Sequence, residues 1–270
     1  MKTRVIAAVV LLPLLLAVLL ILPGLFTGIL FGLLSAIGAY ELLYRTGFVK
    51  EIRLVVYGAL MALYIGLWSG FSWGYPWLML GVLVFLGLMY GELLYSHGTL
   101  PFQSIGYCVM AGFVIPFLLG GIARIRSMES GVYYVLIPFA MAFASDTGAY
   151  FTGCAIGKHK LAPNISPNKT VEGLLGGVAS AVVVMMLYAL VLQLLGFRVN
   201  YLFAVVYGLL GSLGAVFGDL VFSAIKRQVG IKDYGNLIPG HGGALDRFDS
   251  MTVVAPLAEL LLMMIPLAVK

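Results

Sequence analysis

Between Ser223 and Asp249 an otherwise apolar chain reads SAIKRQVGIKDYGNLIPGHGGALDRFD, which packs Lys226, Arg227, Lys232, Asp233, His241, Asp246, Arg247 and Asp249 into 27 residues. More than a quarter of all charged residues, and five glycines, sit there. Just upstream, Asp219 lies in the apolar run GSLGAVFGDLVFSAIKR, at a depth where an ionisable group is costly unless it is paired or metal-bound. On a helix Asp219, Ser223, Lys226 and Arg227 fall at i, i+4, i+7 and i+8 and share one face. Asp246 and Asp249, three apart, are aimed the same way by one helix turn. Together with Asp219 they form an oxygen-rich set suited to Mg²⁺, a hard cation usually held by one or two carboxylates plus substrate phosphates. Arg247, Lys226, Arg227 and Lys232 supply cations for phosphate oxygens. The chemistry implied is metal-assisted phosphate transfer. Two blander readings compete: a structural Asp219 paired with Lys226, and a solvated loop of helix-capping acids and lysines.

The GHGG run, Gly240 to Gly243, lets backbone amides approach an anion closely. His241 reads as a ligand, a general acid or base, or a hydrogen-bonding loop residue. No G-x-x-x-x-G-K-[ST] occurs, which argues against a P-loop ATPase. A second polar loop runs from Ser145 to Gly173. In it Asp146 and Tyr150 stand at i, i+4, and the basic cluster Lys158, His159, Lys160 follows. Ser166, Pro167, Asn168, Lys169 and Thr170 then precede Glu172 and an apolar run, which predicts a helix start with Pro167 near its first turn. Such an N-terminus beside Lys169 is either a phosphate site or simply a capped, positively flanked helix. Glu41 and Glu92 fall at expected membrane interfaces and receive no role, whereas Glu259 falls mid-span and should pair inside the bundle.

These loops need elements to hold them, and the composition says which kind. The 270 residues are 62% hydrophobic and 10% charged, with a mean hydropathy of +1.07. That profile marks an all-α polytopic integral membrane protein. Nine apolar stretches are predicted to span, at about 5–22, 25–44, 54–71, 75–94, 103–123, 132–153, 172–195, 201–222 and 251–269; eight is the alternative if Pro23 and Gly24 only kink the first pair. The apolar N-terminal stretch is long and no A-x-A site follows it, so it reads as a retained first span rather than a signal peptide. With a cytoplasmic N-terminus, Arg124, Arg126, Arg198 and Lys270 are the only basic residues left outside, a clear positive-inside bias. Loops 154–171 and 223–250 then face the cytoplasm, where nucleotides are. Residues 1–125 read mostly as scaffold, and residues 126–270 as the part that carries the active site. Gly211, Gly214 and Gly218 suggest helix packing, and packing glycines of this kind would permit a homodimer. Cys108 and Cys154, in apolar surroundings without C-x-x-C spacing, read as packing residues. No repeat, low-complexity linker or nucleic-acid motif is visible, so the net charge of +5 follows from membrane orientation.

At these residues the chain resembles the bacterial phosphatidate cytidylyltransferases, or CDP-diglyceride synthases. Their pattern S-x-x-K-R-x₄-K-D-x-G-x₂-[LIF]-P-x-H-G-G-x₂-D-R-x-D is met at every fixed position from Ser223 to Asp249. The upstream loop resembles their D-T-x-A-Y-x-x-G-[RK]-x-x-G and S-P-K-K-T-x-E-G stretches. It departs at Cys154, where a basic residue is usual, and at Asn168, where lysine is common. The resemblance implies a Mg²⁺-dependent conversion of CTP and phosphatidic acid to CDP-diacylglycerol and pyrophosphate at the cytoplasmic face of a bacterial plasma membrane. It leaves room for a second cation. On that basis Asp219, Asp246 and Asp249 are the expected metal ligands, with Asp249 alternatively orienting Arg247, and Lys226 and Arg227 act in catalysis. Ser223, Lys232, Arg247, His241, Gly242, Gly243, Lys169, Asn168, Ser166, Asp146, Tyr150 and Lys158 are the expected substrate and phosphate contacts. The rivals are relatives acting on another lipid phosphate, such as CDP-archaeol synthases, a CTP-dependent polyprenol kinase, and, from another class, a transporter or channel.

Overall fold

The computed structural model describes residues 2–71, 73–236 and 242–270, with side chains described from residue 11 onward. Ten helices are defined among these residues. They are α1 (Lys2–Leu20), α2 (Gly24–Arg45), α3 (Ile52–Phe71), α4 (Tyr75–Tyr95), α5 (Phe102–Ser127), α6 (Gly131–Ile156), α7 (Val171–Leu194), α8 (Tyr201–Gln228), α9 (Leu245–Phe248) and α10 (Met251–Met264). Seven of them, α2 to α8, are long and apolar enough to cross a membrane, so the protein is an all-α polytopic membrane protein. The expected final span, 251–269, is a correction. Helix α10 has 14 residues, about 21 Å at 1.5 Å per residue, and stops at Met264. The reason is Pro266, which disfavours helical backbone at Ile265 (φ −139°, ψ 69°). The chain then forms strand β4 (Ala268–Val269), antiparallel to β3 (Arg198–Val199). At the other end, Pro23 separates α1 from α2 rather than kinking one helix.

Two compact units are formed, and neither is contiguous in sequence: residues 1–129 with 231–248, and residues 130–230 with 249–270. In the first, α2 and α3 touch backbone to backbone; a Cβ on Gly28 would stand 2.6 Å from Gly70 Cα. Helix α2 ends in a π turn, Glu41–Arg45. Another π turn, Met110–Val114, interrupts α5 ahead of Pro116, which cannot donate to the carbonyl four residues earlier. Arg126 Nε and Nη2 donate to the carbonyls of Leu19 and Leu22 at 2.7 and 2.9 Å, satisfying the otherwise orphaned end of α1. Glu92 accepts from Tyr57 (3.4 Å) and pairs with Arg53 (3.3 Å).

In the second unit α6, α7 and α8 pack through small residues. The hydroxyls of Ser145 and Ser212, both fully buried, lie 2.7 Å apart. The expected packing role of Gly211, Gly214 and Gly218 holds: they face Met141, Leu257 and the Asp249–Ser250 backbone respectively. Cys108 is buried as expected, but Cys154 is exposed. A hairpin of β1 (Lys160–Ala162) and β2 (Ser166–Thr170) joins α6 to α7. The expected helix start around Pro167 is therefore a correction. Pro167 sits in β2, an edge position where its missing N–H costs nothing, and the N-cap is Thr170.

Candidate active site

Asp219 is the centre of the polar cluster in the second unit. It occupies α8 nine residues before the helix ends at Gln228 and is half-buried. Its Oδ2 forms an ion pair with Lys169 Nζ, and its Oδ1 accepts from Ser223 Oγ at 3.4 Å, one turn further along as the i, i+4 spacing predicts. Lys226, one turn beyond that, is only 7% exposed.

Lys169 is aimed by the hairpin, and the hairpin is tied down at three points. Thr170 Oγ1 accepts from Gly173 N (3.1 Å), capping α7. The Glu172 carboxylate accepts the amides of Lys158 (3.1 Å) and His159 (3.2 Å) and contacts His159 Nδ1 at 2.6 Å. Arg227 Nε donates to the Ile165 carbonyl in the hairpin turn, at 3.3 Å.

Two more acids belong to this cluster. Asp146, on α6, is within electrostatic reach of both Lys169 and Asp219. Asp249, whose Oδ1 accepts from Ser250 N at 2.8 Å, precedes α10. Its burial, with the Asp219 and Asp146 charges outweighing Lys226, pushes its carboxyl up from the ordinary 3.8 to about 7. Three carboxylates against two lysines leave the cluster short of positive charge. Hard oxygen donors short of positive charge suit Mg²⁺. Among the described residues no three His, Cys, Asp or Glu side chains converge as a closed metal cage, so a cation here would take its remaining ligands from substrate phosphates and water.

Asp246 belongs to the first unit and carries a different load. It is 8% exposed, and its Oδ2 accepts from Tyr234 N (2.8 Å) and Gly243 N (3.0 Å), closing the glycine-rich loop onto itself. Gly242 beside it adopts φ +87°, which glycine alone takes without strain. Arg247 and Lys232, in the same segment, are exposed. His241 lies outside the described residues. In the second unit Tyr150 is 66% exposed and stacks edge-on with Phe151, and Lys158, Asn168 and Ser166 are exposed or half-exposed along the hairpin. Of the residues expected from sequence, the cluster thus unites Asp146, Lys169, Asp219, Ser223, Lys226 and Asp249.

Sequence reasoning missed two residues. In the sequence Glu172 reads only as a mark of the helix start. Glu41 shows no role there, yet it is 3% exposed, and its two oxygens accept from Ala244 N (3.2 Å) and Leu245 N (3.1 Å), 203 and 204 residues away. The only signal in the sequence is a lone acid at the end of an apolar run, which Glu92 also displays.

The cytidylyltransferase family matches residues 2–265. The phosphatidate cytidylyltransferase of Bacillus subtilis (strain 168) is 41% identical over 165 residues, 61% of this chain and 60% of that protein. Those of Staphylococcus haemolyticus (strain JCSC1435) and Staphylococcus aureus (strain COL) are 33% and 35% identical over 268 residues, covering 97% and 96% of this chain and 99% and 96% of theirs. A match over nearly the whole length, together with the acid and lysine cluster, means that the chain belongs to the cytidylyltransferase family.

Proposed function

We propose that this protein is a phosphatidate cytidylyltransferase, forming CDP-diacylglycerol and pyrophosphate from CTP and phosphatidic acid. A phosphate oxygen of the lipid attacks the α-phosphorus of CTP in line, the bond from that phosphorus to the bridging oxygen breaks, and pyrophosphate leaves. The attacking group is already an anion, so the protein needs no strong base and must chiefly offset repulsion and stabilise transition-state charge. The observation that carries this reading is the cluster of Asp146, Asp219 and Asp249 with Lys169 and Lys226, at the polar end of a helix otherwise fit for a membrane.

Asp219 and Asp249 are the proposed holders of Mg²⁺, which when bound would neutralise phosphate oxygens and polarise the α-phosphorus. Asp246 is proposed both to shape its loop and, as its place in the sequence pattern suggests, to serve cation binding. Lys169 and Lys226 meet phosphate oxygens inside the cluster, with Arg227 at the exposed end of α8; in the first unit Lys232 and Arg247 are separately proposed as phosphate contacts. The ion pair of Lys169 with Asp219 keeps the lysine ammonium beside the acids that would hold the cation, where phosphate oxygens would meet it. The site is proposed to face the cytoplasm at a bacterial plasma membrane, a reading supported by the basic residues of its loops.

The test is conversion of labelled CTP to a lipid-extractable product by detergent-purified protein with phosphatidic acid, with and without Mg²⁺. Mg²⁺-dependent product is expected from wild type and none from Asp219→Asn. Absence of product from folded wild type with phosphatidic acid, but not with another lipid phosphate, would replace the acceptor. Absence with every acceptor would overturn the reading.

A further inference from the structure

We infer that Glu41 is a positioning residue for the reaction, acting from the N-terminal part of the chain on the loop that carries Asp246 and Arg247. The inference rests on the function proposed above, and its geometry lies wholly within the first unit. Helix α9 has four residues, so its leading amides have no partner within it. Glu41 supplies both: one oxygen takes the amide of Ala244, the other that of Leu245. Asp246, the second residue of α9, in turn closes the loop behind it through Tyr234 N and Gly243 N. The two carboxylates together fix the backbone on both sides of residue 244, and with it the direction in which Asp246 and Arg247 leave the chain.

Two glycines show how closely the fit is made. Gly235 and Gly243 both lie against the Glu41 carboxylate, and a Cβ on either would collide with it. The acid starts the π turn that ends α2 and is buried at 3% exposure, so water cannot take over its two bonds. A carboxylate is the only side chain that presents two acceptors to two parallel donors at this reach. Glutamine keeps the shape, but turns one acceptor into a donor facing a backbone N–H.

The experiment is amide exchange by mass spectrometry on the full chain in detergent, with kcat and KM for CTP, for wild type, Glu41→Gln and Glu41→Asp. Glu41→Gln is expected to accelerate exchange across residues 243–248 about tenfold or more, the loss of one buried charge-assisted bond. It should lower kcat while leaving exchange in α6, α7 and α8 at the wild-type rate. Glu41→Asp keeps both acceptors on a shorter arm and should recover part of the protection and part of kcat together. Unchanged exchange at 243–248, faster exchange everywhere, or loosened exchange with wild-type kcat would each overturn the inference. If Glu41→Gln does not fold, Gly243→Ala strikes the same contact from the loop side, and wild-type exchange in that variant overturns it as well. Because exchange is read without turnover, a wrong lipid acceptor would leave this test standing.

Discussion

The hairpin at residues 158–170 and the glycine-rich loop at 231–248 are both polar segments in an apolar chain, and a glutamate fixes each by accepting backbone amides. They differ in where that glutamate comes from. Glu172 reaches back 13 and 14 residues to His159 and Lys158, whereas Glu41 lies 203 and 204 residues from its partners. The environments differ too: the Glu172 side chain is 20% exposed and that of its partner His159 80%, while Glu41 is 3% exposed. A local, wet anchor can be replaced by water at small cost, while a distant, dry one cannot. The hairpin is therefore expected to yield by degrees, and the glycine loop to fail as a unit.

The largest effect should come where the hairpin delivers its cation. Asp219→Asn and Lys169→Met are each expected to lower kcat by about a thousandfold or more with the fold retained, measured as CTP turnover beside a thermal scan. Wild-type turnover in Lys169→Met would remove the hairpin from the chemistry, and in Asp219→Asn would remove the acid of α8. Thr170→Val deletes the cap of α7 and should cost about 1 kcal/mol of stability, seen as earlier thermal unfolding, with only a modest fall in activity.

Next is a pH effect. Because the folded-state Asp249 carboxyl is raised from 3.8 to about 7, the stability it contributes is present in full below the lower value and is lost as pH rises through the upper one. In cation-free buffer the midpoint of thermal unfolding should accordingly fall between pH 5 and 8 by an amount that Asp249→Asn abolishes. Glu172→Gln should do less than Glu41→Gln: faster exchange at Lys158 and His159 with activity within about threefold of wild type. If it matched Glu41→Gln in kcat, the contrast between local and distant anchoring would not hold. Arg198→Ala, in the exposed β3 far along α8 from Asp219, should leave turnover unchanged.

What could be read from the sequence follows the same division. Asp219 was legible because an acid in GSLGAVFGDLVFSAIKR is costly unless paired or metal-bound, and its helical spacing to Ser223 and Lys226 needs only local geometry. Helices α2 to α8 were legible from hydropathy, whereas the last expected span is cut short where Pro266 ends an apolar run that composition alone would continue. The β1–β2 hairpin was hidden because Ser166 to Thr170 carries helix-start residues, and only pairing with Lys160 to Ala162 reveals a strand. Glu41 was illegible for a deeper reason. Its partners are backbone amides, which every residue possesses, so no residue type at positions 244 and 245 could have pointed to it.

Helix α8 has 28 residues, about 42 Å, against a hydrocarbon layer of about 30 Å. An upright helix would leave roughly two turns clear of the acyl chains, and Asp219, Ser223, Lys226 and Arg227 occupy the last three turns. If that excess stands at the C-terminal end, the cations rise toward the phosphate layer while Asp219 lies nearer the acyl chains. A thicker bilayer would draw that acid under, and a thinner one would lift it into water. The protein in short-chain and long-chain vesicles at equal substrate is accordingly expected to turn over CTP at different speeds.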